Sequence, residues 1–209
     1  MSDSLLEVYD LHKQFGDHTV LNGVSLRVDK GEIVALVGPN RSGKSTLLSC
    51  IVGADHADRG SVCFRGEQLN ETSSMVRSSI AALLDDLDFF PDLSVLEHLL
   101  LYAWSHGQPS AEEVVENIID ELELTSAKEQ LPATLSSGQK HRLGLASCLV
   151  RPRDMILLDE PEQRLDRVGR LWLARRLESE RRSGVAVVMA THDPALVDKV
   201  ADRVLEIPQ

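Results

Sequence analysis

The chain has 209 residues, 43% of them hydrophobic, enough to bury the core of one large domain, so a disordered chain is excluded. Its 22 basic against 33 acidic residues leave a net charge of −11, which removes any long-range attraction for nucleic acid or anionic lipid. The three cysteines, Cys50, Cys63 and Cys148, stand far apart with no paired metal spacing, so neither a disulfide framework nor a cysteine metal site is expected.

The chain begins MSDSLLEVYD, with no basic start and no long apolar run, so no signal peptide is expected. Leu5–Leu11 and Val20–Val28 cluster apolar residues around the turn signals Gly16-Asp17 and Asn22-Gly23 and predict early strands. Ile33–Val37 is a short apolar run ending at a glycine, the pattern of a buried central strand. Ser45–Val52 follows as a helix and Gly60–Arg65 as another strand. Between about 70 and 135 the pattern is read as all helical. Ser94-Val-Leu-Glu97 and Ser110-Ala-Glu-Glu113 are capping boxes, and Val114, Val115, Ile118, Ile119 and Leu122 form one apolar face. Alternation then returns: helix Gln139–Val150, strand Met155–Leu158, helix Gly169–Arg182, strand Val185–Ala190, strand Arg203–Ile207. Asp193-Pro194 caps a helix between the last two strands. Strand and helix in turn predict an α/β fold with a mostly parallel sheet. Ile33–Gly38 and Val185–Ala190 are far too short to span a membrane, so any membrane role has to come through a partner.

Gly38-Pro39-Asn40-Arg41-Ser42-Gly43-Lys44-Ser45, followed by Thr46, matches G-x-x-x-x-G-K-[ST] between a predicted strand and a predicted helix. Glycines let successive N–H groups curl toward a phosphate, and the helix that follows aims its positive end there. Lys44 would reach the β- and γ-phosphates, and the Ser45 hydroxyl would hold Mg²⁺. By itself the motif indicates a nucleoside triphosphate, as in kinases, GTPases and motors. The apolar strand Met155–Leu158 ends in Asp159 and Glu160 at the sheet edge where open α/β sheets bind ligands. Asp159 would hold Mg²⁺ through water, and Glu160 would take a proton from an attacking water or orient it.

Leu135-Ser136-Ser137-Gly138-Gln139 before a helix, and Thr191-His192-Asp193 after a long strand, complete an ordered series. With these segments nearly the whole chain resembles the ATP-binding cassettes of ABC transporters. The order is that family's: phosphate loop, helical insert, signature, carboxylate strand, a Leu165-Asp166 turn and a switch histidine. The resemblance implies one cassette over 1–209. It would have a phosphate-loop NTPase core, an N-terminal antiparallel β subdomain and a helical subdomain at about 70–135. It implies ATP and Mg²⁺ as ligands and hydrolysis of ATP. It also implies head-to-tail pairing with a second cassette, identical or not, and work on a transmembrane permease subunit at the inner face of the cell membrane. Ser136, Ser137 and Gly138, with Gln139, would contact the γ-phosphate held by the other cassette. Asp166 would lie in the turn crossing that interface, His192 would contact the γ-phosphate of its own chain, and Phe15 would stack on adenine. His18, His56, His98, His106 and His141 match no motif of the family. The Arg175-Arg176 and Arg181-Arg182 pairs read as a solvated helix face rather than a nucleic-acid patch.

Four positions depart from the family pattern. Arg41 replaces a glycine, Ser137 replaces the first glycine of the signature, and Arg164 replaces a small residue. Asp85, beside Asp86, replaces the glutamine that contacts Mg²⁺ and the attacking water. An aspartate can bind Mg²⁺ but, when ionised, cannot donate a hydrogen bond. Slowed or partner-dependent turnover is expected. The segment Phe90–Gly107 is most similar to small bacterial export cassettes. The alternative is a non-transport member of the family acting as a nucleotide-gated module; the acidic balance argues against nucleic acid.

Overall fold

The structure, a computed structural model, describes residues 4–84 and 88–208. In chain order the elements are β1 (Ser4–Phe15), β2 (His18–Asp29), β3 (Ile33–Val37), α1 (Lys44–Val52), β4 (Arg59–Phe64), β5 (Glu67–Gln68), α2 (Ser74–Ser79) and β6 (Ile80–Leu83). They continue with α3 (Val95–Ser105), α4 (Ala111–Glu121), α5 (Ser137–Leu149), β7 (Met155–Asp159), α6 (Arg167–Arg182), β8 (Ala186–Ala190), α7 (Pro194–Val200) and β9 (Arg203–Glu206). Two short 3₁₀ turns, Thr125–Ala127 and Pro132–Thr134, link α4 to α5.

Two sheets result. An antiparallel sheet runs β2-β1-β4-β5, and a parallel sheet runs β6-β7-β8-β3-β9. The inner parallel strands are apolar at successive positions because both faces are covered. Their side chains alternate between two cores. Ile33, Ala35, Ile156, Leu158, Val187 and Met189 face a core built with α3 to α7. Val34, Leu36, Met155, Leu157, Val188 and Ala190 face the other, built with α1 and the antiparallel sheet.

The phosphate loop, the paired acids and the histidine all follow strands that lie side by side. β8 pairs with β7 on one flank and β3 on the other, with Ala190 in register with both Asp159 and Leu36. Their carboxyl ends therefore open at one edge.

Two expectations are corrected. The stretch 70–135 is not helical throughout: Ile80-Ala81-Ala82-Leu83 is a parallel strand, paired from Ile80 with Met155 to Leu83 with Leu158. A four-residue apolar run carries no periodicity to tell a buried strand from a helix. The second capping box does not form. Ser110 has a left-handed backbone (φ 52°, ψ 45°) and its side chain makes no cap bond, whereas capping requires an extended residue. The first box forms in full, with Ser94 Oγ accepting from Glu97 N–H at 3.3 Å and Glu97 Oε2 accepting from Ser94 N–H at 2.7 Å. Cys50 and Cys148 are buried, and burial pushes both thiols up to about 11, as for inert core residues.

Candidate functional site

The loop after β3 folds as a cradle. Gly38 has φ 150° and Gly43 has φ 98°, both outside the region that side-chain-bearing residues favour. A Cβ on Gly43 would lie 2.7 Å from the Val20 carbonyl oxygen. The first helical N–H groups of α1, at Lys44, Ser45 and Thr46, have no intrahelical acceptor and point out of the helix start. Arg41 occupies the loop with φ 68°, so the position does require the left-handed region, at a cost of about 1 kcal/mol to an arginine. Lys44 is buried and curls into the loop, Nζ donating to the carbonyls of Gly38 (3.0 Å) and Pro39 (2.9 Å). Burial holds its ammonium below the ordinary lysine range, opposed by the charges of Glu160 and Asp159.

Asp159 ends β7 almost fully buried, and Glu160 turns out of the strand with φ 46°. Its N–H donates to the Ala190 carbonyl at 2.9 Å, which pins the turn to the end of β8. The Glu160 carboxylate is approached from two sides. Gln163 Nε2 donates to Oε2, and His192 Nε2 stands 3.5 Å from Oε1. His192 follows β8 on the segment that α7 ends, where Asp193 caps the helix by accepting from Ala195 and Leu196 N–H.

A cleft of about 390 Å³ gathers Phe15, Asn40, Arg41, Gly43, Lys44, Ser45, Thr46, Glu160 and His192, with His18 and Val20. Phe15 is half exposed at its mouth, with Lys13 Nζ 4.9 Å from the ring centroid. Ser136, Ser137, Gly138, Gln139 and Asp166 do not line this cleft. Ser136 and Ser137 are exposed at the start of α5, which begins at Ser137 rather than Gln139. Ser136 and Gln139 form a capping box: Ser136 Oγ accepts from Gln139 N–H at 3.2 Å, and Gln139 Oε1 accepts from Ser136 N–H at 2.9 Å. Asp166 caps α6 by accepting from Gly169 N–H at 2.8 Å. Arg164 has φ 58°, and its carbonyl lies 3.6 Å from where a Cβ on Gly138 would sit, so signature and turn are adjacent. Asp85 lies outside the described residues.

Three residues without a motif prove to be wired into this site. His141, buried on α5, bonds through Nε2 to the Pro161 carbonyl at 2.9 Å, joining the signature helix to the turn after Glu160. Gln163 contacts Glu160 directly. Glu162 is buried, and its Oε1 accepts from Thr191 Oγ at 2.6 Å and from His192 N–H at 3.1 Å. In the sequence all three stand in polar runs with no signal that they face this site.

Among the described residues no group of three or more His, Cys, Asp or Glu side chains could enclose a metal. A Mg²⁺ shared with substrate phosphates would ask the protein for only a carboxylate and a hydroxyl, and Asp159 and Ser45 are the candidates for these.

Residues 21–163 match the family model described as "ABC transporter". The chain is 39% identical over 212 residues to a sulfate/thiosulfate import ATP-binding protein of Cucumis sativus, covering 96% of this chain and 59% of that protein. It is 32% identical over 208 residues to the Nod factor export ATP-binding protein I of Burkholderia lata, covering 98% of this chain and 68% of that one. Among solved structures, a dimeric ATP-binding cassette in a post-hydrolysis state with ADP and phosphate superimposes with a TM-score of 0.86 at 25% identity, over 97% of this chain and 94% of that one. The motif order, the two-sheet fold and these likenesses together establish that the chain belongs to the ABC transporter family, as one of its ATP-binding, ATP-hydrolysing cassettes.

Proposed function

We propose that the cleft binds ATP with Mg²⁺, that two cassettes close on it, and that hydrolysis drives a separate transmembrane permease in the direction of export. The observation that carries this reading is the gathering of the phosphate loop, Glu160 and His192 in one cleft at the ends of three adjacent strands. Phe15 stacks on adenine, and the amides of Gly43 to Thr46 with Lys44 hold the phosphates. Ser45 and Asp159 hold Mg²⁺, which supplies charge neutralisation on the phosphate oxygens when bound. Glu160 accepts the proton of a water that adds to the γ-phosphorus, as the bond from that phosphorus to the β–γ bridging oxygen breaks and ADP departs. His192, whose Nε2 stands 3.5 Å from Glu160 Oε1, contacts the γ-phosphate beside Glu160. The exposure of Ser136 and Ser137, away from the chain's own cleft, suits contact with the γ-phosphate of a second cassette, with Asp166 at that interface.

Among the described residues no helix is long and apolar enough to cross a membrane, so the transport reading assigns translocation to a permease, with the cassette at the inner membrane face. Export rests on the similarity of Phe90–Gly107 to small export cassettes. The test is Mg-ATP hydrolysis by the purified chain against its concentration, beside Glu160→Gln. A rate per chain that rises with concentration and disappears in the variant supports paired cassettes with Glu160 at the chemistry. Equal rates in both proteins would remove Glu160 from the mechanism. ATP binding without hydrolysis at any concentration would favour a chain that depends on a different partner or works as a nucleotide-gated module.

A further inference from the structure

The buried carboxylate of Glu162 has no role in the mechanism above, yet it bonds the segment that carries His192. Its Oε1 takes two donors, the Thr191 hydroxyl at 2.6 Å and the His192 amide at 3.1 Å. Its Oε2 is buried without a hydrogen-bond partner. Thr191 is itself buried, and its hydroxyl oxygen accepts from Asp193 N–H at 3.0 Å. One carboxylate oxygen therefore organises three consecutive residues, 191 to 193, including the cap of α7. Glu162 stands two residues past Glu160, in the same turn. The turn after β7 and the turn after β8 are thus joined by Glu162 to the Thr191 hydroxyl and the His192 amide, and across the Glu160 and His192 side chains, 3.5 Å apart.

A buried carboxylate is expensive unless its bonds are good, and leaving an oxygen unpaired raises that cost. A threonine hydroxyl and a single amide would be satisfied more cheaply by a neutral acceptor. What this side chain adds is a single acceptor oxygen that serves both donors, with a fixed reach across 30 residues of sequence. We infer that Glu162 is a positioning residue for the hydrolytic site: it clamps the Thr191–His192 backbone so that the imidazole meets Glu160 and the γ-phosphate at one fixed spacing. The inference rests on the assignment of Glu160 and His192 to the chemistry. It places the specificity of the clamp in the acceptor oxygen rather than in the charge, because Oε2 bonds nothing.

The test uses the full chain and four variants. Glu162→Leu removes the acceptor and keeps the volume. Glu162→Gln keeps a carbonyl oxygen at Oε1. Each is measured alone, and Glu162→Leu is also made in a His192→Ala background. Steady-state Mg-ATP hydrolysis gives kcat and KM, and long-range ¹H–¹⁵N correlations report the His192 ring. Misplacing a reacting group by an ångström costs up to about 100-fold. Glu162→Leu is therefore expected to lower kcat at least about tenfold with KM for ATP within about twofold, and to move the His192 ring signals. Glu162→Gln is expected to stay within about threefold of the parent with those signals in place. In the His192→Ala background, Glu162→Leu should change kcat less than about twofold, since two residues acting through one contact are not additive. An unchanged kcat and unmoved ring signals in Glu162→Leu, or the same fold loss in both backgrounds, overturns the inference. If Glu162→Leu does not fold, Thr191→Val removes one of the two bonds and is judged by the same ring signals and kcat. The Glu160→Gln control separates the two levels: hydrolysis that survives it defeats the site assignment, while hydrolysis that needs Glu160 but ignores Glu162 defeats only the clamp.

Discussion

Gly38→Ala probes the join between the phosphate loop and the edge of the parallel sheet. A Cβ on Gly38 would stand 2.3 Å from the Ile207 carbonyl oxygen and 2.9 Å from Ser42 Oγ, at a backbone φ of 150°. The serine hydroxyl is buried but can rotate; the carbonyl belongs to backbone and cannot move alone. Ile207 N–H donates to the Val37 carbonyl at 2.8 Å, so pushing that carbonyl away pulls the end of β9 from the end of β3. One lost backbone bond costs about 1 kcal/mol. The disfavoured φ adds about 1–2 kcal/mol, and forcing a methyl into a packed site adds about 1–3 kcal/mol. We expect a loss of about 3–6 kcal/mol in urea unfolding followed by circular dichroism, a large fraction of the about 5–15 kcal/mol typical of a domain. ATP affinity should fall with it, measured at a temperature where the variant is folded, because the loop amides are displaced. A destabilisation under about 1 kcal/mol with parental ATP affinity would refute the argument that this glycine is dictated by close approach.

Arg153 and Glu180 form a buried pair at 2.5 Å, with side-chain exposures of 9% and 6%, and Arg176 joins Glu180 at 2.9 Å. Glu180→Ala should cost about 3–5 kcal/mol in the same unfolding assay, because it strands the Arg153 guanidinium. The double change Arg153→Met with Glu180→Leu should recover most of that loss. Burial holds the His106 imidazole below the ordinary 6.5, against the bond to the Tyr102 carbonyl, which raises it. Below 6.5 the unfolded chain takes a proton that the folded chain resists, so this residue subtracts stability as pH falls from 6.5 toward the lower folded value. His106→Gln should flatten the fall in stability as pH drops below 6.5, and an unchanged slope would show that His106 does not contribute to it.

The sequence carries β3, the phosphate loop and α1 plainly, because an apolar run, two glycines and a helix signal occur in an order that few other structures use. The acids after β7 and the histidine after β8 are visible for the same reason: each terminates an apolar strand. The strand β6 is hidden, since Ile80-Ala81-Ala82-Leu83 has no periodicity and its pairing with β7 bridges 75 residues, from Ile80 to Met155. Ser110 satisfies the spacing of a capping box, but its backbone is left-handed, which spacing does not encode. His141, Glu162 and Gln163 are legible only in three dimensions. Their partners are Pro161, the 191–192 segment and Glu160, and nothing in a polar run marks which side chain turns inward.

The parallel sheet has a further consequence. Because alternate residues of β3, β7 and β8 enter separate cores, neighbours in sequence such as Ile156 and Leu157 share almost no packing, while Ile156 and Val187 share a great deal. The sheet works as a bulkhead. Cavities or repacking on the helical side leave the compartment beneath the phosphate loop dry and intact, and stability losses from the two sides should simply add. The helical face can therefore be recut while the nucleotide side keeps its packing unchanged.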